Sequence, residues 1–253
     1  MMDIEFLTEE VRQKILDCAA AESPREMCGF IVFNYNGLEF FPVTNRAMYP
    51  DDDFEISADD WLLAEKAGEI VAVVHSHPGG EPFLSDADRQ SQTHSGLPWL
   101  LVVDGRLKLF RFCPHLRGRI FEYGTADCGT LVRDAFMLAG VDLPDHIRGD
   151  MDADAAAGYW VAHLQACGFR RIDDVAEICV GDVVLTALGG QANHAAFYLG
   201  GGEILHHAYG QLSRRELYNG YWRDCTHSVW RWPEWRPEMI RAVENDLEFS
   251  APV

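Results

Sequence analysis

Proline and glycine fall together between Cys113-Pro114-His115 and Gly118, where they interrupt two regions of regular apolar patterning. A chain of 253 residues broken at that point has room for two units, each with a core of its own. Hydrophobic residues make up 48 % of the chain and charged residues 24 %, which predicts packed interiors in both halves.

The first half predicts an α/β unit over residues 1–113. Thr8 to Ala21 reads as a helix with Thr8 as N-cap and Val11, Ile15 and Leu16 on one face, stopped by Ser23-Pro24. Cys28 to Phe33 is an apolar strand, and Asn36-Gly37 is a hairpin turn leading into Leu38 to Val43. Phe54 to Ser57 reads as a short strand, Ala58 to Ala67 as a helix, and Ile70 to His77 as a β-branched strand. Ser85 caps a further helix, and Trp99 to Val103 and Leu107 to Phe112 form strands around Asp104-Gly105.

The second half predicts an α+β unit over residues 119–240, a helix packed on an antiparallel sheet. Cys128 to Ala139 is a helix ended by Gly140, and a polar stretch from Pro144 to Asp154 precedes a helix from Ala155 to Cys167. Val183 to Leu188, His194 to Leu199 and Glu203 to His207 read as strands, the last two joined by Gly200-Gly201-Gly202. Thr226 to Trp232 is a final strand, and residues 241–253 read as a frayed acidic tail.

The formal net charge of −19 argues against nucleic acid as a partner, because phosphate binding needs a Lys/Arg patch. The N-terminus lacks the pattern of a signal peptide, and no apolar run approaches the ~20 residues of a bilayer span. Seven cysteines with no Cys-x-x-Cys pair fit a reducing compartment, so synthesis in a cytoplasm is expected.

Two constellations carry chemistry. On a strand, residues two apart face the same side, so His75 and His77 present both imidazoles to one point. Pro78 turns the chain, and Asp88, in the first turn of the next helix, can return as a third ligand. Two histidines and one carboxylate leave a fourth tetrahedral position for water, as a catalytic zinc requires. Glu26, just ahead of the Cys28 strand, is the candidate base, and the Ser85 hydroxyl is placed to bond a developing oxyanion. The plainer reading is that Ser85-x-x-Asp88 is a capping box and His75-x-His77 is polar surface. Joined in this order, Glu26, His75-x-His77-Pro78 and Ser85-x-x-Asp88 resemble the JAMM motif of the JAB/MPN metallopeptidases over about residues 5 to 113. The resemblance implies Zn2+ held by His75, His77 and Asp88, with Glu26 as proton shuttle and Ser85 as oxyanion stabiliser.

In the second half, Cys128 opens a helix after Asp127 as N-cap. Backbone N–H groups and the macrodipole there favour a thiolate. A nucleophilic cysteine needs a base and the base an orienting group. His194 begins a strand, and the glycine hairpin returns either His206 or His207 to its side. Against this stands the commonest fate of a free cysteine, a small buried hydrophobe. Asp127-Cys128-Gly129-Thr130 followed by Asn193-His194-Ala195-Ala196 resembles the NlpC-type, papain-like cysteine peptidases of bacterial cell walls over about residues 119 to 233. The resemblance implies Cys128 as nucleophile, His194 as base and His206 as third residue, with His207 still open. That family usually has Ser-Gly after the cysteine where this chain has Gly129-Thr130. Tyr221-Trp222 and Trp230, Trp232 and Trp235 read either as a carbohydrate-stacking surface or as packing.

A JAMM-like unit followed by an NlpC-like unit resembles the tail assembly proteins of lambda-type phages and prophages. That resemblance implies a protein made in the host bacterial cytoplasm and acting at the virion tail tip. Its partners would be peptidoglycan stem peptides, cut next to D-glutamate, and other phage tail-tip proteins. A structural tail component with vestigial sites, or a cellular papain-like amidase or acyltransferase, would show the same patterns.

Overall fold

The computed structural model describes residues 6–145, 159–187 and 190–249, and the chain divides into two compact units between Cys113 and Pro114. Leu188, residues 146–158 and the end of the expected tail from residue 250 lie outside the described residues.

In the N-terminal unit the elements run α1 (Glu9–Glu22), β1 (Cys28–Asn34), β2 (Gly37–Val43), α2 (Ala58–Ala67), β3 (Glu69–Ser76), α3 (Asp86–Ser95), β4 (Trp99–Val103) and β5 (Arg106–Phe110). The sheet order is β2-β1-β3-β4-β5, with β3 and β4 parallel and the other neighbours antiparallel. Thr8 caps α1 by accepting from the Val11 N–H, and the helix buries Val11, Ile15 and Ala19. Their four-residue spacing lays one stripe against Met27, Ile31, Ala72, Val74 and Leu100 on the sheet. This mixed sheet flanked by helices is the α/β architecture expected of the first half.

Phe54 to Ser57 is not a strand. The buried Asn45 organises this loop, because its amide donates to the carbonyls of Glu26 and Asp53 while its oxygen accepts the N–H groups of Ala47 and Glu55. Backbone groups satisfied by a side chain have no need of a sheet partner.

Gly29 marks the closest backbone approach in this sheet. A Cβ there would lie 2.5 Å from the Phe41 carbonyl oxygen and 2.9 Å from the Phe40 ring. Gly29→Ala is therefore expected to destabilise the unit by about 1–3 kcal/mol, since backbone must move to admit one methyl group. A urea melt showing an unchanged midpoint would contradict this.

The C-terminal unit contains α4 (Cys128–Leu138), α5 (Tyr159–Ala166), β6 (Arg170–Ile172), β7 (Val183–Ala187), β8 (Ala192–Gly200), β9 (Glu203–His206), β10 (Arg214–Leu217), α6 (Gly220–Asp224), β11 (Thr226–Arg231) and α7 (Ile240–Phe249). Its sheet order is β10-β9-β8-β7-β11-β6, antiparallel throughout. Helix α4 packs across β8 and β9, burying Leu131, Val132, Ala135 and Phe136. Phe136 meets Phe197 of β8 and Trp235 edge-on at 5.5 Å each.

Two expectations are corrected here. The segment from Arg241 is not a frayed tail. Residues 240–249 form α7, which buries Ala242, Val243, Asp246 and Leu247 and packs against α4. Asp246 has no exposure, takes the Leu116 N–H at 2.7 Å and lies 3.0 Å from His115 Nδ1. The tryptophan series is packing rather than a stacking face. Trp230 is buried, Trp232 rests on Phe169, Trp235 on Phe136 and Phe197, and Trp222 on His206.

Candidate metal and thiol centres

Strand β3 carries His75 into the interior, paired with Cys28 on one side and Leu101 on the other. Its ring is stacked on Phe54 at 4.8 Å and meets Trp99 edge-on at 5.3 Å. His77 continues the strand, donating its backbone N–H to Val102, while its Nδ1 donates to the Glu81 carbonyl at 3.0 Å. That bond turns Nε2 toward the cluster, the orienting role an outer partner plays for a metal-ligating histidine.

Asp88 arrives on α3. The capping box expected at Ser85 is present, with the Ser85 side chain accepting from Asp88 N–H and the Asp88 carboxylate accepting from Ser85 N–H at 2.8 Å. The same Oδ2 lies 3.2 Å from His77 Nε2 and 3.4 Å from His75 Nε2. Capping and ligation thus fall on one carboxylate. Helix α3 is held by buried polar groups: Arg89 donates to Gln92 and to the Cys113 carbonyl, and Gln92 to the Phe110 carbonyl.

The two imidazole Nε2 atoms are 3.1 Å apart, and all three candidate donors lie within 4.8 Å of one another in a buried setting. Ligand atoms at the corners of a tetrahedron around zinc, bonded at 2.0–2.1 Å, are separated by about 3.3 Å. The three separations of 3.1, 3.2 and 3.4 Å match that edge, so the donor set fits a tetrahedral dication. His75 Nδ1 is buried without a hydrogen-bond partner among the described residues, so packing against Phe54 and Trp99 fixes that ring.

Glu26 sits at the rim, its Oε1 3.8 Å from His77 Nε2. Ser76 holds this stretch, its hydroxyl accepting the Met27 N–H while its own N–H donates to Met27 O. Burial pushes the Glu26 carboxyl up to about 8, partly opposed by His77. Burial lowers His75. It also pulls on His77, but the hydrogen bond and charge of Asp88 outweigh it and raise that imidazole. Burial alone would raise Asp88, yet His75 and His77 hold it well below the ordinary carboxylate value.

In the other unit, Cys128 is the first residue of α4 and is half-buried. Asp127 caps the helix, Oδ1 accepting the Thr130 N–H and Oδ2 the Gly124 N–H, both at 2.9 Å. Helix α4 lies on the two strands that carry the histidines. His194 is on β8, and His206 on β9 stands opposite Ala196, two residues further along the same face. This diagonal brings His194 Nε2 within 3.3 Å of His206 Nδ1, with the rings at 85°. His207 points elsewhere: its Nε2 donates to the Gln211 carbonyl and its ring meets Phe121.

His206 Nε2 is 2.9 Å from Glu216 Oε2 on β10, a strand that the sequence reading missed because it is short and charged. Trp222 covers the histidines, 4.5 Å from the His206 ring and 5.6 Å from His194. No local motif signals Glu216, which strand order brings in, and Trp222 of α6, read from sequence only as a stacking or packing residue, joins the site through the fold.

Burial lowers His194 to about 3, and it also lowers His206 and His207. The unfolded chain takes up protons at these positions near pH 6.5. The folded unit resists, so this contribution to stability is complete above about pH 6.5 and is lost as the pH falls toward the folded values. The melting temperature of the C-terminal unit is expected to fall between about pH 7 and about pH 5. His194→Gln should flatten that slope, and an equally steep slope in the variant would contradict the assignment.

The family model described as prokaryotic homologs of the JAB domain matches residues 8–113, and that of the NlpC/P60 family matches residues 118–231. Fold and sites therefore define a protein that joins a JAB-type unit to an NlpC/P60-type unit. Tail tip assembly protein K of Escherichia phage lambda is 48 % identical over 193 residues, 76 % of this chain and 96 % of that protein. Its namesake in Escherichia phage N15 is 34 % identical over 241 residues, 89 % of this chain and 97 % of that protein. Desampylase of Haloferax volcanii is 29 % identical over 114 residues, 40 % of this chain and 82 % of that protein. The chain belongs to the tail tip assembly protein K family.

Proposed function

We propose that this chain is a tail tip assembly protein with two amide-cleaving centres: a cysteine endopeptidase acting on peptidoglycan stem peptides and a zinc metallopeptidase. The observation that carries the first is the helix beginning at Cys128, packed on the strands whose His194 and His206 rings touch. On this reading the protein is made in the host cytoplasm, works at the virion tail tip beside other tail-tip proteins, and cuts next to D-glutamate. No described helix is long and apolar enough to cross a membrane.

At the thiol centre, His194 Nδ1 takes the proton of the Cys128 thiol, because Nε2 is engaged by His206. The sulfur attacks the peptide carbonyl carbon, and N–H groups at the start of α4 bond the oxyanion. His194 returns the proton to the leaving amine, giving a thioester. Water, deprotonated by the same imidazole, hydrolyses it and restores the thiol.

At the second centre His75, His77 and Asp88 would hold the ion. Zinc bound there would polarise a substrate carbonyl and make water nucleophilic at neutral pH. Glu26 accepts and returns the proton at its carboxylate, which lies at the rim of the donor set, 3.8 Å from His77 Nε2. Burial pushes that carboxyl up to about 8, and a bound dication would pull it down, favouring the carboxylate form that accepts. The Ser85 hydroxyl, whose oxygen already accepts the Asp88 N–H, keeps its own hydrogen to donate to the substrate oxyanion.

The test is digestion of purified muropeptides, with products identified by mass spectrometry. Free amino termini on cleaved stems are expected, and they should persist when a chelator is present. Intact muropeptides after prolonged incubation would overturn the hydrolase reading.

A further inference from the structure

Glu216 is absent from both sequence constellations, yet it ends a line of hydrogen bonds that reaches His194, the proposed base of the thiol centre. Register sets this line. Ala196 and His206 are opposite across β8 and β9, and His206 and Arg214 are opposite across β9 and β10. His194, His206 and Glu216 are thus successive diagonal neighbours on one face of three strands. The contacts are 3.3 Å from His194 Nε2 to His206 Nδ1 and 2.9 Å from His206 Nε2 to Glu216 Oε2.

Hydrogen-bond logic then fixes every proton. An ionised carboxylate can only accept, so His206 Nε2 carries a hydrogen. A neutral imidazole has one N–H, which leaves His206 Nδ1 as an acceptor. Only a hydrogen on His194 Nε2 can fill that contact, and His194 Nδ1 is left with its lone pair. Glu216 is kept ionised by its surroundings. Burial raises its carboxyl, but Arg214, His206 and Trp222 together lower it below the ordinary value. Arg214 donates to the same Oε2 from Nη2 at 3.0 Å and from Nε at 3.2 Å. Burial meanwhile keeps both imidazoles neutral near pH 7.

We propose that Glu216 is a positioning residue of the thiol centre: through His206 it sets the tautomer of His194, so that Nδ1 is the nitrogen left with its lone pair for Cys128. The tautomer assignment follows from the two contacts together with an ionised Glu216 and neutral imidazoles, while its catalytic meaning rests on the reading of Cys128 and His194 given above. Without Glu216, His206 is free to carry its hydrogen on Nδ1, where it would meet the His194 Nε2 hydrogen head-on. His194 would then lose its partner or change tautomer, and in the second case Nδ1 would no longer be a base.

Long-range 1H–15N spectra of the full chain labelled at histidine decide the matter. Wild type is expected to show both His194 and His206 protonated at Nε2 near neutral pH. Glu216→Ala should shift His206 toward the Nδ1–H form, and Glu216→Asp should restore the wild-type pattern. In parallel, Glu216→Ala should lower kcat for muropeptides about 10- to 100-fold with KM little changed, by analogy with the loss of outer hydrogen-bond partners of metal-ligating histidines. Its acid limb should also move, which a merely structural contact would not cause. An Nδ1–H signal for His206 in wild type overturns the proposal without any variant, as do unchanged tautomers in Glu216→Ala. If wild type shows both Nε2–H forms but cleaves nothing, the hydrolase reading fails and the relay stands.

Discussion

Cys128→Ser is expected to lower kcat for stem-peptide cleavage by about 10³-fold or more while leaving the fold unchanged. The side chains differ by one atom, and Cys128 is half-buried at a helix start, so neither cavity nor clash results. The chemistry changes far more. A thiol is partly ionised near neutrality and its thiolate is favoured by the helix terminus, whereas a hydroxyl stays protonated and is a weaker nucleophile. His194→Ala should match that loss. The double variant should be no slower than either single one, because nucleophile and base act as a unit. Initial rates on purified muropeptides, with circular dichroism as a control for folding, measure all three. Near-wild-type turnover in Cys128→Ser would move the nucleophile to another residue.

The second large effect concerns metal content. Wild type is expected to bind one zinc per chain by atomic emission after dialysis, and His75→Ala and His77→Ala to bind none. Each variant removes one of the three donor atoms, and the imidazole and carboxylate that remain are too few to hold the ion through dialysis. Asp88→Asn is the more informative variant. It should lose zinc, because the charge is gone, yet keep the reciprocal bond to the Ser85 N–H through its remaining side-chain oxygen. Asp88→Ala should lose zinc and the reciprocal bond to the Ser85 N–H, while the Ser85 hydroxyl still caps α3 through the backbone N–H of residue 88. Zinc should raise the melting temperature of wild type and leave the histidine variants unmoved. Stoichiometric zinc in His77→Ala would show that the ion is held elsewhere.

The convergence of His75, His77 and Asp88 was legible because its parts are local. A strand alternates faces, so His75 and His77 had to converge, and Ser85-x-x-Asp88 announces a helix start whichever purpose the carboxylate serves. What surrounds the cluster was not legible. Phe54 against His75, Asn45 beneath Glu26, and Arg89 with Gln92 behind Asp88 all meet partners from other segments, through contacts that no spacing rule encodes. In the second unit, alternation left His206 and His207 both open. Pairing between β8 and β9, set by the turn and by burial of one face, turns the His206 ring to His194 and the His207 ring to Phe121. Acidity also misled at the end of the chain. Ala242, Val243, Asp246 and Leu247 recur at helical spacing and are buried, but charged neighbours hid the stripe.

The clasp between Asp246 and residues 115–116 has a practical corollary. It brings the point where the chain enters the cysteine unit beside the last helix that closes it. A module whose way in and way out are adjacent can be lifted as a cassette and spliced into a surface loop of an unrelated host with little rebuilding. Joining Pro114 to Phe249 by a short linker should give a circular permutant of this unit that still folds.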